Sequence, residues 1–188
     1  MRRKFIMGAL ALLCLVRTAA ARAGIAFRVM RMPVARLKQV TRGFGATPGG
    51  GFHSGVDLTA PYGSPVEAAA AGTVVFMDSY FGYGNMVDIR HADGLVTRYA
   101  HLSAYAPGLR VGSALEPGGP VGSIGTSGHA HGPHLHFEVR VDGRAVDPKP
   151  YLGLASPPAA ARPTLIEAAL RDPRGEPHVV GFVDDRPR

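Results

Sequence analysis

Apolar and polar residues alternate with a period of two in several short runs between residues 56 and 141. Alternation of this kind is typical of β-strands that are buried on one side, because successive side chains point to opposite faces. Glycines and prolines separate the runs, and Asp93–Gly94 joins two of them as a hairpin signal. No long segment has the periodicity of an amphipathic helix, so the pattern predicts an all-β domain of antiparallel sheets.

The most regular run is Gly132–Arg140, with the sequence GPHLHFEVR. On a strand, His134 and His136 would project from one face, while Leu135 and Phe137 would project from the other. Two neighbouring imidazoles can hydrogen-bond within a sheet or bind a metal ion. The run alone does not decide between these two interpretations.

A second motif, His53-Ser-Gly-Val-Asp57, favours the metal. His53 would lie at the mouth of a strand and Asp57 within it, close enough to converge on one ion. Each motif alone is weak evidence, but together they contain enough nitrogen and oxygen ligands for a zinc site. A further candidate is His101, which would reach a strand end on the same face as Tyr99.

Other titratable residues are weaker candidates. His129 and His131 form a second His-x-His in a glycine-bearing loop, where substrate contact or simple exposure is favoured over metal binding. His91 precedes the hairpin turn and is expected to be solvated. Glu138 lies two residues beyond His136 on the same face, either as a partner that orients an imidazole or as an ordinary surface carboxylate.

The net charge of +7 raises the question of nucleic-acid binding. Residues 1–23 contain five basic and no acidic residues, and residues 24–43 add five more basic residues. Residues 44–155 contain six basic and nine acidic residues, which leaves the candidate site outside the basic region. The charge distribution therefore does not support a nucleic-acid partner.

The N-terminal pattern predicts an export signal over residues 1–23, with a basic start, an apolar run at Phe5–Val16 and a small-residue cleavage site at Ala21-Arg-Ala23. An uncleaved anchor is the alternative, and the Arg2–Arg3 pair leaves general and twin-arginine export both open. Cys14 would be removed with the signal, so a metal in the mature chain must be held by His and carboxylate.

Composition divides the rest of the chain into three parts. Residues 24–44 form a basic lead-in, either a short helix or an extended segment. Residues 45–155 form the β domain, and residues 156–188 form a Pro- and Arg-rich tail that is expected to be disordered.

The chain resembles the lysostaphin-type, or LytM-type, zinc endopeptidases of bacterial peptidoglycan, peptidase family M23. The likeness rests on segments that occur in the family's order: Phe52–Asp57, Gly63–Val66, Ala71–Val75, Tyr83–Asn85, Tyr99–Leu102, Gly132–Glu138 and Asp147–Pro148. The resemblance implies a barrel-sandwich-like domain, a duplicated hybrid motif, with a Gly-rich active-site groove.

The resemblance also implies residue roles. His53, Asp57 and His136 would bind one Zn²⁺ ion, and His134 and His101 would be catalytic. Three protein ligands leave the fourth position of a tetrahedral zinc for water, as in catalytic sites. His134 would shuttle a proton, and His101 would orient the water or stabilise the oxyanion. Spacing alone does not say which of His134 and His136 is the ligand.

The expected function is that of an exported zinc metalloendopeptidase of the periplasm or cell envelope, or a secreted enzyme if the cell has a single membrane. Zinc-bound water would attack an amide carbonyl in peptide cross-links or stem peptides of peptidoglycan. After signal cleavage no membrane contact is expected, and the protein is expected to be a monomer. A cell-wall amidase or a division-complex protein could be a further partner.

Two other classes of protein fit parts of the pattern. The first is a non-catalytic LytM-like activator of cell-wall amidases, but such relatives commonly lack some zinc ligands, whereas all five positions are filled here. The second is a carrier domain of related β architecture. A lipoyl or biotinyl carrier needs an exposed hairpin lysine, and Lys149, the only lysine of the β region, lies too near its end.

Overall fold

The computed structural model describes residues 28–156. These residues form twelve strands: β1 Gln39–Arg42, β2 Gly45–Ala46, β3 Phe52–His53, β4 Val56–Thr59, β5 Pro65–Glu67, β6 Gly72–Tyr80, β7 Gly84–Arg90, β8 Val96–Tyr105, β9 Ala114–Leu115, β10 Pro120–Ile124, β11 His134–Val141 and β12 Arg144–Val146. A 3₁₀ turn, Phe81–Tyr83, joins β6 to β7, and a short helix, α1 Pro148–Tyr151, follows β12. The predicted signal and nearly all of the predicted tail lie outside the described residues.

Ten strands form one antiparallel sheet, with the order β1-β4-β11-β8-β7-β6-β9 along its main path. Strand β10 pairs with β5 and β8, β12 pairs with β11, and β2 and β3 form a separate two-stranded sheet. The predicted all-β antiparallel fold is confirmed. No helix in the described part of the chain is long and apolar enough to span a membrane.

Strand β11 pairs with β4 on one side and with β8 on the other, and every second side chain of β11 lies in the core. Leu135, Phe137 and Val139 are fully buried among apolar side chains, and the Phe137 ring packs edge-on against Tyr99 with centroids 5.4 Å apart. The prediction that Leu135 and Phe137 face away from the histidines is confirmed. Burial of these side chains fixes the register of β11, because a slip by one residue would place them on the wrong face.

The described part of the lead-in is extended rather than helical, which decides between the two alternatives. Met30 and Val34 are buried in the core, and β1 pairs with β4 so that Arg42 lies opposite Asp57. The backbone N–H of Met30 also donates to the carbonyl of Tyr151 at 2.6 Å. The lead-in thereby adds a strand to the sheet beside the candidate site.

His91 differs from its prediction. It is 3% exposed rather than solvated, with Nδ1 donating to the Ala71 carbonyl at 2.8 Å and Nε2 lying 2.9 Å from the Thr97 hydroxyl. The hairpin residues after His91 are the exposed ones, while the imidazole turns inward to bond the backbone before β6. Both ring nitrogens have partners, which offsets the cost of burying them.

Candidate metal centre

His53, Asp57 and His136 converge on one point although they come from three strands. His53 Nε2 lies 3.1 Å from Asp57 Oδ1 and 3.0 Å from His136 Nδ1, and His136 Nδ1 lies 3.1 Å from the same carboxylate oxygen. The contact between His136 and Asp57 follows from the register, because the two residues are direct cross-strand partners on β11 and β4. His53 is added from β3, four residues before Asp57.

The other nitrogen of each imidazole reveals which tautomer is present. His53 Nδ1 lies 2.8 Å from the Gly43 carbonyl and His136 Nε2 lies 3.1 Å from a Glu138 oxygen. A carbonyl and a carboxylate only accept, so these nitrogens carry the protons. When both rings are neutral, the two nitrogens that face Asp57 therefore present lone pairs, so that three acceptor atoms meet.

Three converging acceptors repel one another unless a cation lies between them. Neutral imidazoles and a carboxylate are ligands that zinc prefers, and a tetrahedral site with bonds of about 2.0–2.1 Å separates neighbouring ligand atoms by about 3.3 Å. The observed separations are close to this value, so the residues fit zinc. No fourth His, Cys, Asp or Glu of residues 28–156 joins this group.

The electrostatics of the ligands agree with this fit. Burial tends to raise the pKa of Asp57, but contacts with His136 and His53 outweigh it and hold the pKa well below its usual range. Burial tends to lower the pKa of His136, but the carboxylates of Asp57 and Glu138 raise it. A proton on His136 would relieve the same repulsion as a metal ion, so protons and metal compete for this site.

Glu138 is not a surface carboxylate, because its side chain is completely buried. Its Oε1 accepts from His136 Nε2 at 3.1 Å, from the Tyr83 hydroxyl at 2.8 Å and from the Ser54 hydroxyl, while its Oε2 accepts from Arg140. Burial tends to raise the pKa of Glu138, but these hydrogen bonds lower it to about 2. An ionised Glu138 therefore holds the His136 ring in the tautomer that a metal ligand needs.

Sequence reasoning did not assign a role to the residues that support Glu138. Arg98 makes two hydrogen bonds to Asp88, at 2.9 and 2.8 Å, and its guanidinium lies 4.8 Å from the centre of the Tyr83 ring. Tyr83 belongs to one of the motifs that carry the resemblance, and this was the one available signal. The contacts among these side chains depend on pairing of β11, β8 and β7, which a linear pattern does not specify.

His134 and His101 lie beside the three converging residues. His134 Nδ1 lies 2.8 Å from the Gly132 carbonyl, and its Nε2 lies 3.6 Å from Asp57 Oδ1. His101 Nδ1 lies 2.8 Å from the Ser127 carbonyl, and its ring centre is 4.8 Å from that of His134. Both histidines are thus protonated on Nδ1 and keep Nε2 as an acceptor.

His101 points into the site because it lies at a β-bulge within β8. The register between β7 and β8 shifts between Asn85 and Val87, and the φ angle of His101 is +61°. The prediction that Tyr99 and His101 share a face is wrong: Tyr99 is buried in the core, whereas His101 lines the groove. A bulge with one left-handed residue interrupts the alternation and re-aims the side chain, a feature that is frequent beside active sites.

The loop before β11 supplies the acceptor for His101. Its Ser127 hydroxyl donates to the Leu102 carbonyl at 2.8 Å and accepts from the Asn85 backbone N–H at 2.9 Å. Gly128 has a φ angle of +68°, and a Cβ there would lie 2.4 Å from backbone atoms of Gly82 and Gly84. Close backbone packing at this glycine therefore fixes the Ser127 carbonyl.

All five histidine and aspartate candidates line one groove of about 300 Å³. The exposed aromatic residues Phe52 and Phe81 line it as well, and so do His129 and His131. His129 and His131 line the groove but are not part of the converging group. The groove offers an extended surface with both apolar and polar positions.

Comparison with known proteins shows what the chain is similar to. Residues 51–148, just over half of the chain, match peptidase family M23. Over 140 residues the chain is 40% identical to the DD-carboxypeptidase/endopeptidase Mpg of Neisseria meningitidis, which covers 71% of this chain and 32% of that protein. Over 98 residues it is 39% identical to the peptidoglycan DD-endopeptidase ShyC of Vibrio cholerae, covering 52% of this chain and 22% of that protein.

A solved structure of a peptidase is also similar to this chain in its fold. A zinc-containing peptidase from Vibrio cholerae aligns with a TM-score of 0.58 at 31% identity, covering 73% of this chain and 41% of that one. The chain spans about a third or less of the length of the two curated relatives.

Proposed function

The chain belongs to peptidase family M23, and from this premise we propose that it is an exported zinc metalloendopeptidase that hydrolyses peptide cross-links or stem peptides of bacterial peptidoglycan. The observation that carries the proposal is the convergence of three acceptor atoms at 3.0–3.1 Å beside two further imidazoles. The peptidoglycan substrate is supported by the similarity to ShyC. Export is supported by the N-terminal pattern of residues 1–23.

His53 Nε2, Asp57 Oδ1 and His136 Nδ1 would hold the zinc. When bound, zinc lowers the pKa of a coordinated water to about 7 and polarises the carbonyl to be attacked. The chain's own residues orient the two imidazoles among these ligands: the Gly43 carbonyl accepts from His53 Nδ1, and Glu138 accepts from His136 Nε2. The same hydrogen bonds would maintain the ligand tautomers throughout turnover.

His134 is suited to moving the proton. Its Nδ1–H is held by the Gly132 carbonyl, so Nε2 is the free base and lies at the edge of the converging group. Nε2 can take a proton from the attacking water and deliver it to the leaving amine, which balances the hydrolysis. Its side chain is 15% exposed, which leaves it accessible to substrate.

For His101, the structure favours one of the two roles left open by the sequence. With Nδ1–H donated to Ser127, Nε2 can accept a hydrogen bond but cannot donate one. Burial lowers the pKa of His101 to about 4, which keeps the ring neutral. We therefore assign His101 to orienting a water or substrate N–H rather than to stabilising an oxyanion.

Mass spectrometry of peptides released from purified peptidoglycan by the zinc-loaded protein tests the proposal. His134→Ala should retain zinc and lose about 10²- to 10⁴-fold in rate, whereas His136→Ala should lose zinc because two ligands remain. Equal zinc loss in both variants would contradict the assigned roles. A zinc-loaded wild type that releases no peptides, but stimulates a cell-wall amidase added to the same assay, would replace the peptidase proposal with the activator alternative.

A further inference from the structure

Arg42 is the one arginine, among the described residues, that lines the groove. It ends β1 and lies directly opposite Asp57, with a register shift just before it. Directly paired residues of antiparallel strands project from the same face, so the guanidinium shares the face of the Asp57 carboxylate. In the sequence, Arg42 is one of the five basic residues of the lead-in and carries no other signal.

The guanidinium of Arg42 has no protein partner within residues 28–156. By contrast, Arg31, Arg98 and Arg140 are paired with Glu67, Asp88 and Glu138. The Asp57 carboxylate lies opposite Arg42 but is already surrounded by imidazoles and forms no ion pair with it. The five donors of Arg42 are therefore open to a ligand that enters the groove.

The position of Arg42 indicates which part of a substrate it would meet. A second depression adjoins the groove, and its lining includes Arg42, Asp57, His131, Pro133 and His134. This depression extends the groove on the side of His134, which we assign to protonating the leaving amine. A group next to that amine would therefore lie nearest to Arg42.

The charge of the groove indicates which chemical group of a substrate would bind beside Arg42. Among residues 28–156, Asp57 is the only carboxylate that lines it, and the charges of Arg42 and of the proposed zinc ion would together exceed that of Asp57. A guanidinium matches a carboxylate through two parallel hydrogen bonds. We propose, on the basis of the proposed function, that Arg42 binds a carboxylate on the leaving-group side of the scissile bond and makes the groove selective for acidic peptides.

The test compares two synthetic cross-linked peptides. In both, D-alanine is linked to the side-chain amine of a diamino acid, and they differ only in whether the carbon next to that amine carries a carboxylate or a carboxamide. Wild type, Arg42→Gln, Arg42→Lys and the control Arg144→Gln are compared by steady-state kinetics, and zinc content is measured for each. Arg144 lies on β12 and does not line either part of the groove.

Wild type should favour the carboxylate peptide by about 10- to 100-fold in kcat/KM, the usual effect of a hydrogen bond to a charged group. Arg42→Gln should lower cleavage of the carboxylate peptide toward that of the carboxamide, mainly through KM and with zinc retained. Arg42→Lys should keep part of the preference, and Arg144→Gln should keep all of it.

Equal cleavage of the two peptides by wild type would overturn the inference, as would an equal loss on both peptides in Arg42→Gln. Digestion of intact peptidoglycan is measured alongside. Wall digestion without cleavage of either peptide would overturn the inference alone, whereas absence of both activities would overturn the proposed function on which it rests.

Discussion

His136 and His101 reach the same groove from neighbouring strands, but by different routes. His136 lies on a regular strand, where alternation with the buried Leu135 and Phe137 decides its direction. His101 lies at a bulge with a left-handed backbone, and its ring is held by a loop carbonyl from Ser127. The first position follows from a local pattern, whereas the second depends on contacts between segments distant in sequence.

His136 and His101 are also held in place by different parts of the molecule. His136 is held by a buried carboxylate on its own strand, Glu138, and by Asp57 on the paired strand. His101 is held by a loop whose position depends on close backbone packing at Gly128. Damage to one support should therefore leave the other histidine in place.

The largest expected effect comes from a substitution that displaces the loop holding His101. Gly128→Ala would place a Cβ 2.4 Å from backbone atoms of Gly82 and Gly84 at a φ angle of +68°. We expect a loss of about 1–3 kcal/mol in the free energy of unfolding and about 10²-fold in kcat from misplacement of His101. Denaturant unfolding and peptide-release kinetics measure the two effects.

Gly108→Ala is the matched control, because its φ angle of +77° is also left-handed, but nothing lies within 4 Å of a Cβ there and the residue does not line the groove. It should cost about 1 kcal/mol in stability through the backbone conformation alone and leave the rate unchanged. Zinc affinity should remain near wild type in both variants, since the three proposed ligands lie on other segments. Loss of zinc in Gly128→Ala would show that the two supports are not independent.

A smaller effect is expected from weakening the hydrogen bond that holds His136. Glu138→Gln keeps the shape of the side chain but replaces a charged acceptor with a neutral amide, so His136 becomes a weaker ligand. We expect zinc affinity to fall by about 10- to 100-fold, measured by competition with a chelator. Glu67→Gln, at the exposed ion pair with Arg31, is the control and should leave zinc affinity unchanged. A wild-type zinc affinity in Glu138→Gln would show that the carboxylate does not tune the ligand.

The smallest effect concerns a histidine outside the groove. Burial lowers the pKa of His91, although the Ala71 carbonyl partly opposes this shift. Below the ordinary histidine pKa of 6.5, the unfolded chain takes up a proton that the folded chain resists, so stability falls as pH decreases from there toward the lower folded pKa. Above that range both states are neutral and the effect disappears.

His91→Gln should reduce this dependence, because the amide can still bond the Ala71 carbonyl but does not titrate. Urea unfolding at several pH values between 5 and 8 would show wild type losing more stability than the variant on acidification. Parallel curves for the two proteins would contradict the prediction. Zinc affinity at neutral pH should be the same in both, which distinguishes His91 from the groove histidines.

The all-β class, the direction of His134 and His136, and the candidate set of ligands could be predicted from the sequence. These features depend on a period of two along one strand and on residue chemistry, both of which are local. The resemblance then selected His136 over His134 as the ligand, and this stays a prediction; in the structure, His136 Nδ1 lies 3.1 Å from Asp57 Oδ1, whereas His134 Nε2 lies 3.6 Å from it.

The direction of His101, the burial of His91 and Glu138, and the place of Arg42 beside Asp57 could not be predicted from the sequence, because they depend on how the strands pair. Alternation predicted His101 on the face of Tyr99, because a bulge has no signature in the pattern of apolar residues. Arg42 lies beside Asp57, 15 positions away in sequence, and Glu138 contacts His136 on its own strand but is held in place by Tyr83 and Ser54, which are 55 and 84 positions away. Such contacts exist only once the sheet has formed, since its register, not the spacing along the chain, brings the side chains together.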